Sequence, residues 1–215
     1  MDGIRILHLA DLHIGMENYG RIDPATGLNG RVMDFLRRFG ETVDFALEND
    51  VDLVLFAGDA YKSRDPNSTY RREFARRVKR LADAGIPVVL LVGNHDLPAA
   101  TRRASSVEIF RTLDTPNVLV AGREQLHQLV TRRGAAIQVA TVPYPLRQIL
   151  LAHEDHKNKT IAELDALVQQ IVVENIHALA AQVDPGLPAV LVGHFSVSEA
   201  KLGSERSVML GRDVV

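Results

Sequence analysis

A chain of 215 residues, 46% of them hydrophobic, is long enough to bury a sizeable core in one domain or at most two. Its formal charge of −2 offers no global attraction for nucleic acid, so any such affinity has to rest on a local patch. The absence of cysteine excludes disulfides, thiolate nucleophiles and thiolate metal sites, leaving any metal to His, carboxylate, Asn or backbone oxygen. The first residues lack the long apolar core of a signal peptide, and no run is long enough to span a bilayer. A cytoplasmic protein with no membrane association is expected.

Residues 4–10 alternate and read as a first strand, which runs directly into Asp11-Leu12-His13-Ile14-Gly15. In extended backbone, side chains two apart share a face, so Asp11 and His13 are expected to point the same way. Residues 16–30, with Pro24 and three glycines, predict a long surface loop near that strand end. The spacing of Val32, Phe35, Leu36, Phe39, Val43 and Leu47 predicts a helix over 31–49, and residues 51–57 a buried strand that ends in Gly58-Asp59. A second amphipathic helix over 71–84 leads to the apolar strand 88–92, which ends in Gly93-Asn94-His95-Asp96. This β-α-β-α-β order predicts parallel strands joined by right-handed crossovers.

Beyond it, a short helix is expected over 103–113 and a short strand over 117–121. Residues 128–131 and 136–142 flank Arg132-Arg133-Gly134 and predict a hairpin opening a second sheet. A long helix over 161–183 is followed by a strand over 187–194 that ends in Gly193-His194, and residues 207–210 read as one more strand. No repeat or linker divides the chain, so residues 1–215 are read as one domain.

Four strand ends thus supply Asp11 with His13, Asp59, Asn94 with His95, and His194. Carboxylate and amide oxygens mixed with imidazole suit Mn, Fe or Zn better than an all-oxygen Mg or Ca cage. The natural reading is a paired metal site for hydrolysis, with Asp59 bridging two ions that activate water and stabilise an in-line phosphoryl transfer. Glycines 58, 93 and 193 let the backbone approach the cluster closely. His95 is expected to meet the phosphate or protonate the departing oxygen, with Asp96 orienting it.

Asp11-x-His13, Gly58-Asp59, Gly93-Asn94-His95-Asp96 and Gly193-His194, in this order, resemble the calcineurin-like metallophosphoesterase superfamily. The opening Ile-Leu-His-Leu-Ala-Asp-Leu-His-Ile-Gly and the loop after it resemble the SbcD-type DNA repair exonucleases within it. That resemblance implies an α/β fold, a two-sheet sandwich flanked by helices in four layers (α-β-β-α). It also implies two manganese ions and exonuclease and endonuclease action on DNA phosphodiesters in double-strand break repair. An SbcC-like ABC ATPase is implied as partner, and a homodimer is left open. Carried over by position, Asp11 and His13 hold the first metal, Asp59 bridges, Asn94 and His194 hold the second, and His95 stabilises the transition state and leaving group.

The superfamily completes its site with a Gly-His-x-His motif, and no histidine follows position 194 here. A domain incomplete at its C-terminus, weak metal occupancy and weak or absent nuclease activity are therefore expected of this polypeptide. Where some relatives place a histidine after Gly58-Asp59, this chain has Lys62; Lys62 and Arg64 are read as point charges for a phosphate. The basic stretch 71–80, Arg102-Arg103 and Arg132-Arg133 read as solvated surface. His8 reads as a core or supporting residue, and His127, His153, His156 and His177 carry no assigned chemistry. No Walker-type loop is present, so ATP-driven work falls to a partner. A phosphoesterase for small-molecule or protein substrates and a catalytically incomplete binding scaffold are the alternative functions.

Overall fold

The computed structural model describes residues 3–98, 103–145 and 159–197. β1 (Ile6–Leu9), β2 (Leu53–Phe56), β3 (Val88–Leu91) and β4 (Val118–Ala121) form one parallel sheet in that spatial order. The second sheet joins β5 (Gln125–Val130) and β6 (Ala136–Val142) as an antiparallel hairpin and adds β7 (Ala189–Gly193) parallel to β6. The helices are α1 (Gly30–Glu48), α2 (Ser68–Asp83), the single turn α3 (Ile109–Thr112) and α4 (Ile161–Ala180).

The pleat sorts the core into layers. In β2, Val54 and Phe56 face α1 and α2, packing with Phe39, Val43, Phe74, Val78 and Leu81. Their neighbours Leu53 and Leu55 face the other sheet and meet Ile137, Val139 and Val192. The remaining face of the second sheet, through Ala140 and Val142, packs on Val172 and Leu179 of α4. The result is the expected α-β-β-α sandwich, in which β2 and β3 are buried along their whole length and carry their C-terminal ends into the protein.

The helices begin where side chains can cap them. Asn29 Oδ1 accepts from Arg31 N at 2.9 Å, and Asn67 Oδ1 from Tyr70 N at 2.9 Å. α2 therefore starts three residues before its predicted first residue. The expected helix over 103–113 shrinks to four residues because Ser106 donates its backbone N–H to Asp96 O at 2.9 Å, drawing the chain before α3 onto the β3 turn. α4 stops short of residue 183, where Gln138 of β6 takes over: its amide holds both Asp184 N and Asp184 O at 2.9 Å. The strand expected over 207–210 lies outside the described residues.

Candidate metal centre

The ends of β1, β2, β3 and β7 meet at one edge of the sandwich. The first of them gets there differently from the expectation. Asp11 and His13 are not extended: both are left-handed, at φ 56° and 44°, as is Asp59 at 59°. The segment stays locked to the end of β2, since Asp11 N donates to Gly58 O and His13 N to Asp59 O, each at 3.1 Å. Asp11 and His13 do converge, but through two tight turns rather than through the pleat. His13 Nε2 lies 3.5 Å from Asp11 Oδ1 and 3.7 Å from Asp59 Oδ2.

Asp59 is the hub. It is buried, and its Oδ1 accepts from His95 N at 2.8 Å and lies 3.6 Å from His194 Nε2, while Oδ2 faces His13. Two three-residue groups share it, His13-Asp59-His95 and Asp11-Asp59-His194, each bringing its ligand-capable atoms within 4.8 Å of one another. Asn94 Oδ1 adds a further ligand-capable oxygen 3.0 Å from His194 Nε2.

Local polarity fits a cation. His194 Nδ1 donates to Ala57 O at 2.6 Å, so the neutral ring has no proton on Nε2, and Nε2 meets Asn94 Oδ1 as one acceptor facing another. A cation relieves that opposition. His13 Nδ1 is buried with no hydrogen-bond partner among the described residues. The His13 imidazole holds the Asp11 carboxyl below its ordinary value, and the same contact raises His13.

Glycine is required where the turns crowd together. A Cβ at Gly93 would stand 2.3 Å from Asp59 Oδ1, and one at Gly58, itself at φ 95°, would stand 2.5 Å from His194 Nδ1. At Gly193 the nearest neighbour is instead the Phe195 ring, at 2.4 Å, so the third glycine makes room for an aromatic side chain rather than for a ligand.

A model of the calcineurin-like phosphoesterase family matches residues 4–214. The chain belongs to that family. Its relatives include the DNA double-strand break repair protein Mre11 of Haloferax volcanii, 36% identical over 109 residues that make up 51% of this chain and 22% of that protein. The D component of the nuclease SbcCD of Escherichia coli K12 is 26% identical over 217 residues, covering 97% of this chain and 50% of that protein. Half or less of the length of these relatives is thus spanned by the chain.

Within this phosphoesterase domain the remaining sequence-predicted residues divide. His95 packs edge-on against His13, with ring centroids 4.9 Å apart, and its Nδ1 lies 2.8 Å from Lys62 O. Its ring thus joins His13 and Asp59 in one of the two ligand-capable groups, a position the motif alone leaves open. Asp96 departs from the expectation. Its carboxylate makes no bond to His95 but is fully buried, accepting from Asp59 N, Ala60 N, Gly93 N and Ser106 Oγ at 2.8–3.1 Å. Burial pushes the Asp96 carboxyl up, against hydrogen bonds that favour the anion. Asp96 is thus a positioning residue for the turns.

Lys62 is exposed beside the centre, where its charge opposes protonation of His13, whereas Arg64 lines a neighbouring groove. His8 is exposed on the edge strand β1 and is not a core residue, and His127 touches Thr141 Oγ1 at 3.3 Å. His153 and His156 lie outside the described residues. The sequence carries no signal for Ser106, which follows Asp96 by ten residues in an irregular stretch. Along 71–80 the solvated reading is supported: Arg71 pairs with Asp65, Arg72, Arg76 and Arg77 with Glu73, Lys79 with Asp83, and Arg80 with Asp44.

Proposed function

We propose that residues 1–215 are one metallophosphoesterase domain of a DNA nuclease of the SbcCD and Mre11 kind, hydrolysing phosphodiesters with two divalent ions, manganese in the first place. The observation that carries this reading is the sharing of Asp59 by two ligand groups at the ends of four strands, in a chain whose relatives include a DNA double-strand break repair protein and a nuclease. By the resemblance, Asp11, His13 and Asp59 would hold one ion, and Asp59, Asn94 and His194 the other, although the geometry sets Asp11 with His194 and His95 with His13 around Asp59. Bound there, the ions supply water activated at neutral pH and charge neutralisation on the phosphoryl oxygens.

The chain's own groups do the rest. Ala57 O fixes His194 through Nδ1, and Lys62 O does the same for His95, leaving each Nε2 as the atom free to act. His95, through Nε2, is the proposed proton donor to the departing oxygen. The Lys62 ammonium, and more distantly Arg64, attract the phosphate as point charges. An SbcC-like ABC ATPase is the proposed partner for ATP-driven steps, a homodimer the proposed assembly and the cytoplasm the proposed location. No described helix is long and apolar enough to cross a membrane.

The test is degradation of a labelled DNA duplex with manganese, with chelator and with the Asp59→Asn variant, alongside nitrophenyl phosphate esters. Manganese-dependent cutting of the duplex, lost in the variant, is expected. Hydrolysis of the small esters alone would assign the domain to small substrates, and metal binding without either activity would make it a scaffold.

A further inference from the structure

Between the start of α2 and residues 103–112 runs a groove of about 560 Å³ lined by Arg64, Arg71, Arg72 and Arg103, with Asp65 and Glu108 as its carboxylates. Both carboxylates are already engaged, Asp65 by Arg71 at 2.7 Å and Glu108 by Arg111. Arg64 and Arg103 are exposed and have no carboxylate partner among the described residues. This differs from the α2 face, where each basic side chain has a carboxylate within ion-pair distance, Glu73 being shared by three of them. In the same wall, Ser105 Oγ is buried with no hydrogen-bond partner among the described residues. Two guanidinium groups with no carboxylate partner among the described residues make this groove a local concentration of positive charge in a chain of net charge −2.

It also borders the metal centre. Arg64 stands two residues after Lys62, whose carbonyl lies 2.8 Å from His95 Nδ1. Ser106, on the opposite wall, bonds Asp96 at 3.0 Å, and Asp96 in turn accepts from Asp59 N at 2.8 Å. The segments that form the groove walls are therefore tied by hydrogen bonds to the turns that carry the candidate ligands.

We propose that this groove binds the phosphodiester backbone beyond the scissile phosphate, with Arg64 and Arg103 as its cations and the Ser105 hydroxyl as a further donor. The assignment rests on the nuclease reading, because a polynucleotide carries its anions in series: a strand with one phosphate at the centre presents others beside it. Planar guanidinium groups bind phosphate oxygens in pairs, and each such contact releases counterions.

The test is binding of a fluorescent duplex across a salt series in chelator, so that no strand is cut, for the wild type, Arg64→Ala/Arg103→Ala and Arg37→Ala/Arg38→Ala. The control pair lies on α1, already bridged to Asp34 and Glu41. Loss of two phosphate contacts should lower the slope of log affinity against log salt by about 1.8 and weaken low-salt binding about tenfold or more, with the α1 pair moving neither. An unchanged slope and affinity in the groove variant would overturn the proposal. So would a groove variant that alters only self-association in sedimentation, which would assign the groove to an acidic face of a second copy. If wild type cuts DNA and the groove variant binds it normally, the groove assignment alone fails; if wild type neither binds nor cuts DNA, the nuclease reading fails with it.

Discussion

Asp96 accepts three backbone N–H groups and one hydroxyl while fully buried, so each of its lone pairs is committed to holding the turns after β2 and β3. Asp96→Asn sets an amide donor against N–H donors and leaves them unsatisfied. A loss of about 3 kcal/mol is expected, read by urea unfolding, together with weaker manganese binding. His95→Ala, whose ring is only half-buried, should change stability by less than about 1 kcal/mol. Gly93→Ala tests the crowding directly. Its Cβ would fall 2.3 Å from Asp59 Oδ1, and the shared carboxylate must move. Titration calorimetry should then find manganese affinity reduced at least tenfold, and an unchanged isotherm would show that the turn yields without disturbing Asp59.

At the scale of elements, the two sheets are stapled away from the centre. Asp52, just before β2, is buried and accepts from Arg133 Nε at 2.7 Å, Arg133 Nη2 at 2.6 Å and Arg5 N at 2.8 Å. Arg133 sits in the turn between β5 and β6, so this ion pair ties the parallel sheet to the hairpin. The Arg133 guanidinium holds the Asp52 carboxyl below its ordinary value of 3.8. A depressed carboxylate stabilises the fold above its unfolded value, and that contribution is lost as pH falls through the folded one. Stability of the wild type should therefore decline below about pH 4 more steeply than that of Asp52→Asn, measured by urea midpoints across pH. Arg133→Ala strands the buried carboxylate; a cost of about 2 kcal/mol is expected at pH 7, below that of a fully buried pair because Arg133 is 39% exposed at its side chain. Each of these elements was written in local pattern, the hairpin in its Arg-Arg-Gly turn and the buried strands in apolar runs. The staple was not, because Asp52 and Arg133 are separated by 81 positions and nothing local to either names the other.

For the whole molecule, the proposed ligands come from four strand ends, so metal binding at the proposed centre requires the folded chain. An ion that binds the native state and not the unfolded chain raises its stability by about 2.7 kcal/mol per site at a hundredfold excess over Kd. Manganese should therefore raise the Tm of the wild type by about 5 °C or more and leave Asp59→Asn almost unmoved, since both ligand groups pass through that residue. A rise of equal size in the variant would remove Asp59 from the centre. Order and chemistry of the motifs were legible in the chain, because strand–helix alternation forces parallel strands and parallel strands gather their C-terminal ends at one edge. For the same reason Asp11, His13, Asp59, Asn94 and His194 could be placed together from sequence. What turns Asp96 from His95 to the backbone N–H groups, sets His95 beside His13, turns Asp11 and His13 left-handed and leaves Arg64 and Arg103 without a carboxylate partner among the described residues depends on contacts between segments remote in sequence. Those are set by the packing of β1 on β2 and of residues 103–112 on the β3 turn, and no periodicity or propensity within a single segment encodes them.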